Sequence, residues 1–295
     1  MKNCLFVFMV IFSLFSLFSC TKRFGGLPQE VLSQESIDKF LAAVGTGDAG
    51  ITGKENKEMN RKQLKEKISI TMEKAKIPSN ISMHILAADQ DEFLKQLEEA
   101  TGGDEFLYIL VDKQHKLPNG YEPSDLVHLA GEGKSYTVAR NNLYLRQAAE
   151  NALQIMALDA RAQGITLMAS STYRSYDYQV QVYERNVRQN GRETADRESA
   201  RPGYSQHQLG LIVDFGSISD EYADTPGGRF LANYAHKYGW SISFPDGYED
   251  VTGYRYECWH YRYVGREAAN FINTWFGGIQ QYALQFIHVW KNGEL

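Results

Sequence analysis

The spacing of apolar residues changes twice along the chain. Leu5 to Phe18 is a nearly unbroken apolar run, which is too short to span a bilayer comfortably. Residues 20–103 are charged and rich in glycine, and their apolar positions are sparse. From residue 104 onward, short apolar runs alternate with segments of helical periodicity. The pattern predicts a leader over residues 1–19, a linker and helical extension over 20–103, and a folded domain over 104–295.

The domain over 104–295 is expected to contain both strands and helices. Short apolar or aromatic runs predict strands at Phe106–Val111, Ile165–Ser170, Leu211–Phe215, Trp240–Phe244 and Arg255–Tyr263. Helical periodicity and capping residues predict helices from Asn141 or Asn142 to Gly164, from Ser175 to Asn190, from Arg229 to Tyr238 and from Gly265 to Trp275. Glu257 and His260 are separated by an odd spacing, so a bend or a strand end near Trp259 is needed for both to face one site.

The extension over 20–103 is predicted to be a stalk followed by helices. Ser33 can cap a short helix through Ala43, Lys54–Ala75 is a charged helical segment, and Asp89–Glu99 is an amphipathic helix that ends at Gly102-Gly103. The charge and the glycine content favour a solvated spacer. We place the domain boundary near Gly103.

The N-terminus has the pattern of an export signal. Lys2 supplies a positive start before the apolar run. The run ends in Leu17-Phe18-Ser19-Cys20, which resembles a bacterial lipobox, so we expect export, lipidation of Cys20 and anchoring of the protein to a membrane, on its periplasmic or outer face. An ordinary secretory signal in which Cys20 is incidental is the alternative.

Composition excludes several classes of protein. With 43% apolar and 23% charged residues, the chain is typical of a globular protein with a sizeable core. The formal charge is −5, and outside residues 54–67 there is no long block of lysine and arginine, so nucleic acid is not an expected partner. Cys4 leaves with the leader and Cys20 would be lipidated, so Cys258 has no partner for a disulfide within the chain.

Four residues in the second half of the chain suggest hydrolytic chemistry. His207, Asp214 and His260 can hold one divalent metal and leave a coordination position for water, and Glu257 can take that water's proton. On spacing alone, His207 and Asp214 would more often form a hydrogen-bonded core pair than bind a metal. Arg174 is predicted at a strand-to-helix junction, where a guanidinium can bind a carboxylate or an oxyanion, although a surface salt bridge is the simpler interpretation.

Four sequence blocks carry a family resemblance. YRSYDYQ, SQHQLGLIVD and YECWHYRYVG, in that order, together with LVDKQHKLPNGYEPSDLV upstream, resemble the VanY-type D-alanyl-D-alanine carboxypeptidases. These enzymes belong to the LAS metallopeptidases, named for lysostaphin, the D-Ala-D-Ala carboxypeptidases and sonic hedgehog. The resemblance covers roughly Phe106 to Tyr282. It implies an α+β fold, with a small central antiparallel sheet and flanking helices that carry a zinc site.

The resemblance also assigns roles to individual residues. It implies that His207, Asp214 and His260 bind Zn²⁺, that Glu257 is the catalytic base and that Arg174 polarises the substrate. Ser205 and Gln179 match positions that the family associates with the substrate pocket. The sequence departs from the family pattern at two positions: Ile212 replaces the usual alanine, and Cys258 stands where the family often has proline. The thiolate of Cys258 could join the metal, or the residue could be a small buried apolar side chain. His128, His236 and His288 lack a partnered motif and are expected to be structural.

The expected function follows from the export signal and the four blocks. They predict an exported, lipid-anchored zinc metallopeptidase that removes the C-terminal D-alanine from peptidoglycan stem peptides. An L,D-carboxypeptidase acting on tetrapeptide stems shares the scaffold, and a VanX-like dipeptidase would need free D-Ala-D-Ala and a more closed site. A non-catalytic peptidoglycan-binding lipoprotein is the alternative of another class, and the presence of Glu257 argues against it.

Overall fold

The computed structural model describes the backbone of residues 53–293 and the side chains of residues 61–293. The predicted leader, Cys20 and the predicted helix from Ser33 to Ala43 lie outside the described residues. Within residues 53–293, no helix combines the length and the apolar character that crossing a membrane requires.

The described chain is rich in helices and contains two small sheets. Helices α1 to α10 span Gly53–Lys74, Ser79–Ala87, Gln90–Thr101, Gln147–Ala162, Tyr176–Asn190, Arg192–Glu198, Pro226–Tyr234, Glu249–Thr252, Arg266–Trp275 and Gln280–Asn292. Strands β1 to β7 span Leu126–His128, Thr137–Val138, Tyr144–Arg146, Met168–Ser171, Ile212–Phe215, Trp240–Ile242 and His260–Tyr263.

The larger sheet has the strand order β2-β4-β5-β7-β6. Strand β2 pairs with β4 in parallel, and the other neighbours in this sheet are antiparallel. Strands β1 and β3 form a separate antiparallel pair. The α+β fold with a small, mainly antiparallel central sheet and a helical region before it is therefore confirmed.

Local sequence signals explain several element boundaries. The Ser175 hydroxyl accepts a hydrogen bond from the Tyr178 backbone N–H at 3.2 Å, so the predicted cap of α5 is confirmed. Helix α4 begins at Gln147 rather than at Asn141 or Asn142, because Tyr144–Arg146 pairs with β1 as a strand.

The predicted strand over Phe106–Val111 is wrong. Glu105–Leu107 forms a turn of 3₁₀ helix, and the residues after it have no strand partner. The carbonyl oxygens of Phe106 and Ile109 instead accept hydrogen bonds from Arg262 Nη2 on β7, at 3.0 and 2.9 Å. A buried arginine side chain thus takes the place of a neighbouring strand and satisfies these carbonyls.

The extension over residues 53–101 is not a solvated spacer, and this expectation is corrected. Helices α1 to α3 pack against the two C-terminal helices around a shared buried cluster, the helical cluster, which includes Ile68, Met72, Ile85, Phe93, Leu97, Phe271, Trp275 and Phe286. The charged side chains of residues 61–101 are exposed on the outer faces of these helices. The compact unit begins at Lys54, and no division falls near the predicted boundary at Gly103.

Candidate active site

The site is built on two neighbouring antiparallel strands. In the register of β5 and β7, Asp214 lies directly opposite His260. Directly paired residues of an antiparallel sheet project their side chains to the same face, so the pairing itself brings these two together. The chain reaches β7 through a turn in which the His260 N–H donates to the Glu257 carbonyl at 3.2 Å. The predicted strand end near Trp259 is confirmed, since β7 begins at His260.

His207 reaches the same place from the turn before β5. It lies in the 3₁₀ turn Gln206–Leu209, which ends at Gly210 with φ of 68°. A Cβ at Gly210 would lie 2.9 Å from the Leu126 side chain, so the turn needs glycine both for its backbone conformation and for the close approach of β1. The glycine of the SQHQLG block therefore delivers His207 to the strand that carries Asp214.

The three predicted metal ligands form one compact group, with candidate ligand atoms within 4.8 Å of one another. His207 Nε2 lies 3.3 Å from Asp214 Oδ2, and His260 Nδ1 lies 3.0 Å from Asp214 Oδ1. All three side chains are buried. A buried carboxylate between two histidines, at the end of a cavity, is a ligand set typical of a divalent metal.

The hydrogen bonds of these residues show that the set fits a cation. His207 Nδ1 contacts the Thr172 carbonyl at 2.6 Å, so this nitrogen carries the proton and Nε2 keeps its lone pair. Asp214 Oδ1 is buried without a hydrogen-bond partner despite its closeness to His260. Burial and the neighbouring Arg174 lower the pKa of His207 to about 4. Burial alone would raise the pKa of Asp214, but its contacts with His207 and His260 hold it well below its ordinary value. Neutral His207 and an ionised carboxylate are the forms that bind metal.

Glu257 lies beside the metal-binding group. Its Oε2 is 3.4 Å from His260 Nδ1, and its side chain is 13% exposed. Burial, followed by the charge of Asp214, raises the pKa of Glu257 to about 8 in the metal-free site, while Arg174 opposes the shift. A carboxyl group whose pKa lies near neutral pH can both accept and return a proton.

Arg174 follows β4 and points into the same group. Its Nη2 donates to His207 Nε2 at 2.8 Å and lies 3.6 Å from Asp214 Oδ2. Its Nη1 donates to Gln179 Oε1 at 3.0 Å. The structure therefore brings together Arg174, the three candidate ligands and Glu257, as the sequence predicts, and excludes the alternative of a surface salt bridge for Arg174.

Gln179 does not line the cavity, so the expected contact with substrate is corrected. Its side chain is 0% exposed, and its amide group lies between Arg174 and the backbone that follows α6, where Nε2 donates to the Ala200 carbonyl at 2.6 Å. Gln179 thus holds the guanidinium of Arg174 in place. Ser205 does line the cavity and makes no capping hydrogen bond, and its role toward substrate stays a prediction.

A cavity of about 460 Å³ opens onto these groups. Its wall includes residues that the sequence analysis did not single out, namely Arg140, Ser171, Tyr178, Arg185, Tyr204, Phe244, Tyr254, Arg255 and Trp259. Of these, Tyr178 lies inside the YRSYDYQ block and Trp259 inside the YECWHYRYVG block. Ser171 ends β4, and the others come from loops and helix faces whose proximity depends on the tertiary fold.

Cys258 points away from the metal-binding group. Its Sγ lies 3.5 Å from the Ser219 carbonyl and 3.6 Å from the Asp220 carbonyl, and the side chain is buried. Burial raises the pKa of the Cys258 thiol, which keeps it protonated. Of the two interpretations of this residue, the structure favours the small buried side chain.

The other three histidines singled out in the sequence lie outside the cavity. His128 contacts the Asn141 carbonyl, and His288 lies beside His115 with a ring-centroid distance of 5.3 Å. Burial lowers the pKa of His236. These contacts agree with structural roles.

Comparison with known proteins identifies relatives whose similarity to this chain includes the residues of the site. The family model for VanY, a D-alanyl-D-alanine carboxypeptidase, matches residues 142–266, a range that contains Arg174, the three candidate ligands and Glu257. The chain is 38% identical over 180 residues to the protein YodJ of Bacillus subtilis (strain 168), covering 59% of this chain and 66% of that protein. It is 29% identical over 176 residues to a D-alanyl-D-alanine carboxypeptidase of Enterococcus faecium, covering 57% of this chain and 55% of that enzyme. It thus spans about half to two thirds of the length of these relatives.

Two solved structures resemble the fold. The LD-carboxypeptidase LdcB is 35% identical with a TM-score of 0.51, over 58% of this chain and 85% of that one. A D,D-pentapeptidase VanY from a VanB-type resistance cassette, solved in complex with Zn(II), is 28% identical with a TM-score of 0.52, over 61% of this chain and 99% of that one. From the fold, the site and these similarities together, the chain belongs to the VanY family of the LAS metallopeptidases.

Proposed function

We propose that this protein is a zinc-dependent carboxypeptidase that removes the C-terminal D-alanine from peptidoglycan stem peptides. The observation that carries the proposal is the convergence of His207, Asp214 and His260 on one point, with Glu257 and Arg174 in the same cavity. The D-alanyl-D-alanine carboxypeptidase activity named for the enterococcal relative supplies the substrate class.

His207, Asp214 and His260 would hold the zinc ion. When bound, the ion supplies Lewis acidity, which polarises a carbonyl oxygen and makes water more acidic. The protein's part is to keep two imidazole lone pairs and one carboxylate aimed at the same place. Thr172 does this for His207 by accepting the proton of Nδ1.

Glu257 would act as general base and then as general acid. Its carboxylate takes the proton of the attacking water, and the carboxylic acid returns a proton to the amine of the departing D-alanine. Burial raises the pKa of Glu257 to about 8 without a metal ion, and the positive charge of a bound ion would lower it, which favours the carboxylate that accepts the first proton. No serine or cysteine nucleophile is needed, and the buried Cys258 takes no part.

Arg174 would stabilise the oxyanion that forms when water adds to the scissile carbonyl. Its Nη1 donates to Gln179 Oε1, and this contact would hold the guanidinium when the ion takes the lone pair of His207 Nε2, which accepts from Arg174 Nη2 in this structure. A donor fixed before the reaction stabilises developing charge without reorganising, and the partly enclosed site strengthens this effect. The hydroxyl of Ser205 is proposed to contact the peptide at the cavity wall.

The test uses purified pentapeptide and tetrapeptide muropeptides with the zinc-loaded protein. Release of D-alanine from the pentapeptide is the expected result, detected by mass spectrometry of the muropeptide and by free D-alanine. Absence of release from the pentapeptide would overturn the D,D-carboxypeptidase proposal.

An L,D-carboxypeptidase is the second candidate. The observation that favours it is the higher identity to the LD-carboxypeptidase LdcB, 35%, than to the D,D-pentapeptidase VanY, 28%. The same assay distinguishes the two, because an L,D-enzyme releases D-alanine from the tetrapeptide and leaves the pentapeptide intact. A protein that binds muropeptides and cleaves neither would instead fit the non-catalytic wall-binding alternative.

Export and lipid anchoring at Cys20 belong to the same proposal. They are supported by the positive start, the apolar run and the lipobox-like Leu17-Phe18-Ser19-Cys20. A protein expressed in bacteria fed with labelled palmitate should carry the label in the membrane fraction. Cys20→Ser should abolish labelling, and a labelled Cys20→Ser protein would reject Cys20 as the lipidated residue.

A further inference from the structure

The two ring nitrogens of His260 have different neighbours. Nδ1 faces Asp214 Oδ1 at 3.0 Å and Glu257 Oε2 at 3.4 Å. Nε2 lies 3.3 Å from Gln206 Oε1. A neutral imidazole carries one proton, so the nitrogen that holds it decides which nitrogen keeps the lone pair. Only a lone pair on Nδ1 points toward Asp214.

The backbone at Val111 fixes the orientation of the Gln206 amide group. Gln206 Nε2 donates to the Val111 carbonyl at 3.4 Å, and Gln206 Oε1 accepts from the Ser243 hydroxyl at 2.7 Å. A carbonyl oxygen can only accept, so the amino group must lie on the Val111 side. Turning the amide over would place two oxygens against each other there. Gln206 therefore presents its oxygen to His260.

An acceptor opposite Nε2 favours the tautomer of His260 that binds a metal through Nδ1. The oxygen of Gln206 accepts an N–H at Nε2, whereas a cation among the three ligands would take the place of the proton that Asp214 and Glu257 attract to Nδ1. His207 is arranged in the same way with the nitrogens exchanged, because the Thr172 carbonyl accepts from its Nδ1. One histidine is thus oriented by the main chain and the other by a side chain, and the side chain can be replaced by mutation.

The acceptor lies in a buried polar network. Gln206 is 6% exposed and Ser243 is 2% exposed. Gln280, at the start of α10, lies 3.4 Å from the Ser243 hydroxyl and donates to the Ser241 carbonyl at 3.2 Å. Little water reaches these groups to replace a lost acceptor, so the interaction between Gln206 and His260 is stronger than it would be at the surface.

We propose that Gln206 is a positioning residue for the metal site: by accepting the Nε2 proton of His260, it keeps the Nδ1 lone pair available for the ion. The proposal rests on the zinc site of the proposed function and adds a residue that neither the sequence blocks nor the ligand geometry assigns.

The test compares zinc affinity in matched variants, measured by competition with a chelator. Gln206→Met keeps the length of the side chain and removes the acceptor, and we expect zinc binding to weaken about 10- to 100-fold. Gln208→Met is the control, because Gln208 lies in the same turn, is equally buried and donates to the Tyr121 carbonyl instead. Its zinc affinity should match the wild type.

A second measurement needs no variant. Nitrogen-15 NMR of histidine-labelled, zinc-loaded protein should show His260 protonated at Nε2 and bound to the ion through Nδ1. A proton at Nδ1 in this spectrum would overturn the proposal, and so would unchanged zinc affinity of Gln206→Met alongside tight binding by the wild type. A wild-type protein that binds no zinc would overturn the metal site itself, which separates failure of the proposed function from failure of this inference alone.

Discussion

Glu257 Oε2 lies 3.4 Å from His260 Nδ1, the nitrogen that also faces Asp214. Glu257→Gln keeps the size of the side chain and removes its ability to take a proton. We expect kcat for D-alanine release to fall at least about 100-fold, while the zinc content stays at the wild-type level. Steady-state kinetics measure the fall in kcat, and metal analysis of the same preparation measures the zinc content. Turnover close to the wild type with zinc bound would reject Glu257 as the base.

The raised pKa of Glu257 predicts an effect of pH on the stability of the metal-free protein. The folded state holds the proton up to about pH 8, whereas the unfolded state releases it near the ordinary value of 4.5. The stability linked to this proton is therefore complete below pH 4.5 and is lost as the pH rises to about 8. Glu257→Gln removes this loss. It should raise the Tm of the metal-free protein above that of the wild type at pH 8.5 by more than it does at pH 5.

The control for this experiment is an exposed carboxylate of the same type. Glu99→Gln on α3 lies far along the chain from the site and has an exposed side chain. Its effect on Tm should be small and nearly the same at both pH values, because an exposed charge contributes little to stability. A pH-independent effect of Glu257→Gln would mean that the carboxyl group of Glu257 is ionised in the folded, metal-free protein.

Gln179 accepts a hydrogen bond from Arg174 on the side away from the cavity, and this contact predicts how kcat and KM change when Gln179 is replaced. Gln179→Met removes the acceptor of Arg174 Nη1 without opening the cavity. We expect kcat to fall about tenfold and KM to change little, because the group that loses its support acts in the transition state. Gln181→Met, an exposed glutamine of the same helix, should leave both constants unchanged. A rise in KM with unchanged kcat would return Gln179 to the substrate-binding role implied by the resemblance.

The active site was predictable from the sequence to the extent that its residues lie in short blocks. His207 and Asp214 lie in one block, Glu257 and His260 in another, and the register of β5 and β7 then joins the two blocks. The support for these residues was not predictable, because Gln206 is fixed by the Val111 carbonyl and Gln179 by the Ala200 carbonyl. Nothing in local spacing indicates contacts of this kind.

The fold was predictable where a local signal decides the structure. The cap of α5 at Ser175 is one case, and the strand that carries Asp214 is another. The run Phe106–Val111 has the composition of a strand, but Arg262 binds its carbonyls in place of a neighbouring strand. The prediction of a solvated spacer is wrong because it depends on the many charged residues of the extension. The residues that its apolar face contacts lie near the C-terminus, and local sequence does not indicate them.

Phe93 tests whether the extension stabilises the folded protein. Its ring is 0% exposed and lies 5.4, 5.2 and 5.5 Å from the ring centres of Phe271, Trp275 and Phe286. Phe93→Ala should lower the free energy of unfolding by about 3–5 kcal/mol, since it removes a large buried side chain and leaves a cavity. Urea denaturation followed by tryptophan fluorescence measures this change, because Trp275 and Trp290 belong to or pack against the helical cluster, and Trp240 and Trp259 lie in the other buried cluster.

The matched control is an apolar residue on the outer face of the same extension. Ile70 on α1 is 47% exposed, and Ile70→Ala should change the free energy of unfolding by no more than about 0.5 kcal/mol. A solvated spacer would give the same small change at both positions. A large loss at Phe93 together with a small one at Ile70 would show that α3 is packed into the folded protein through its contacts with the C-terminal helices.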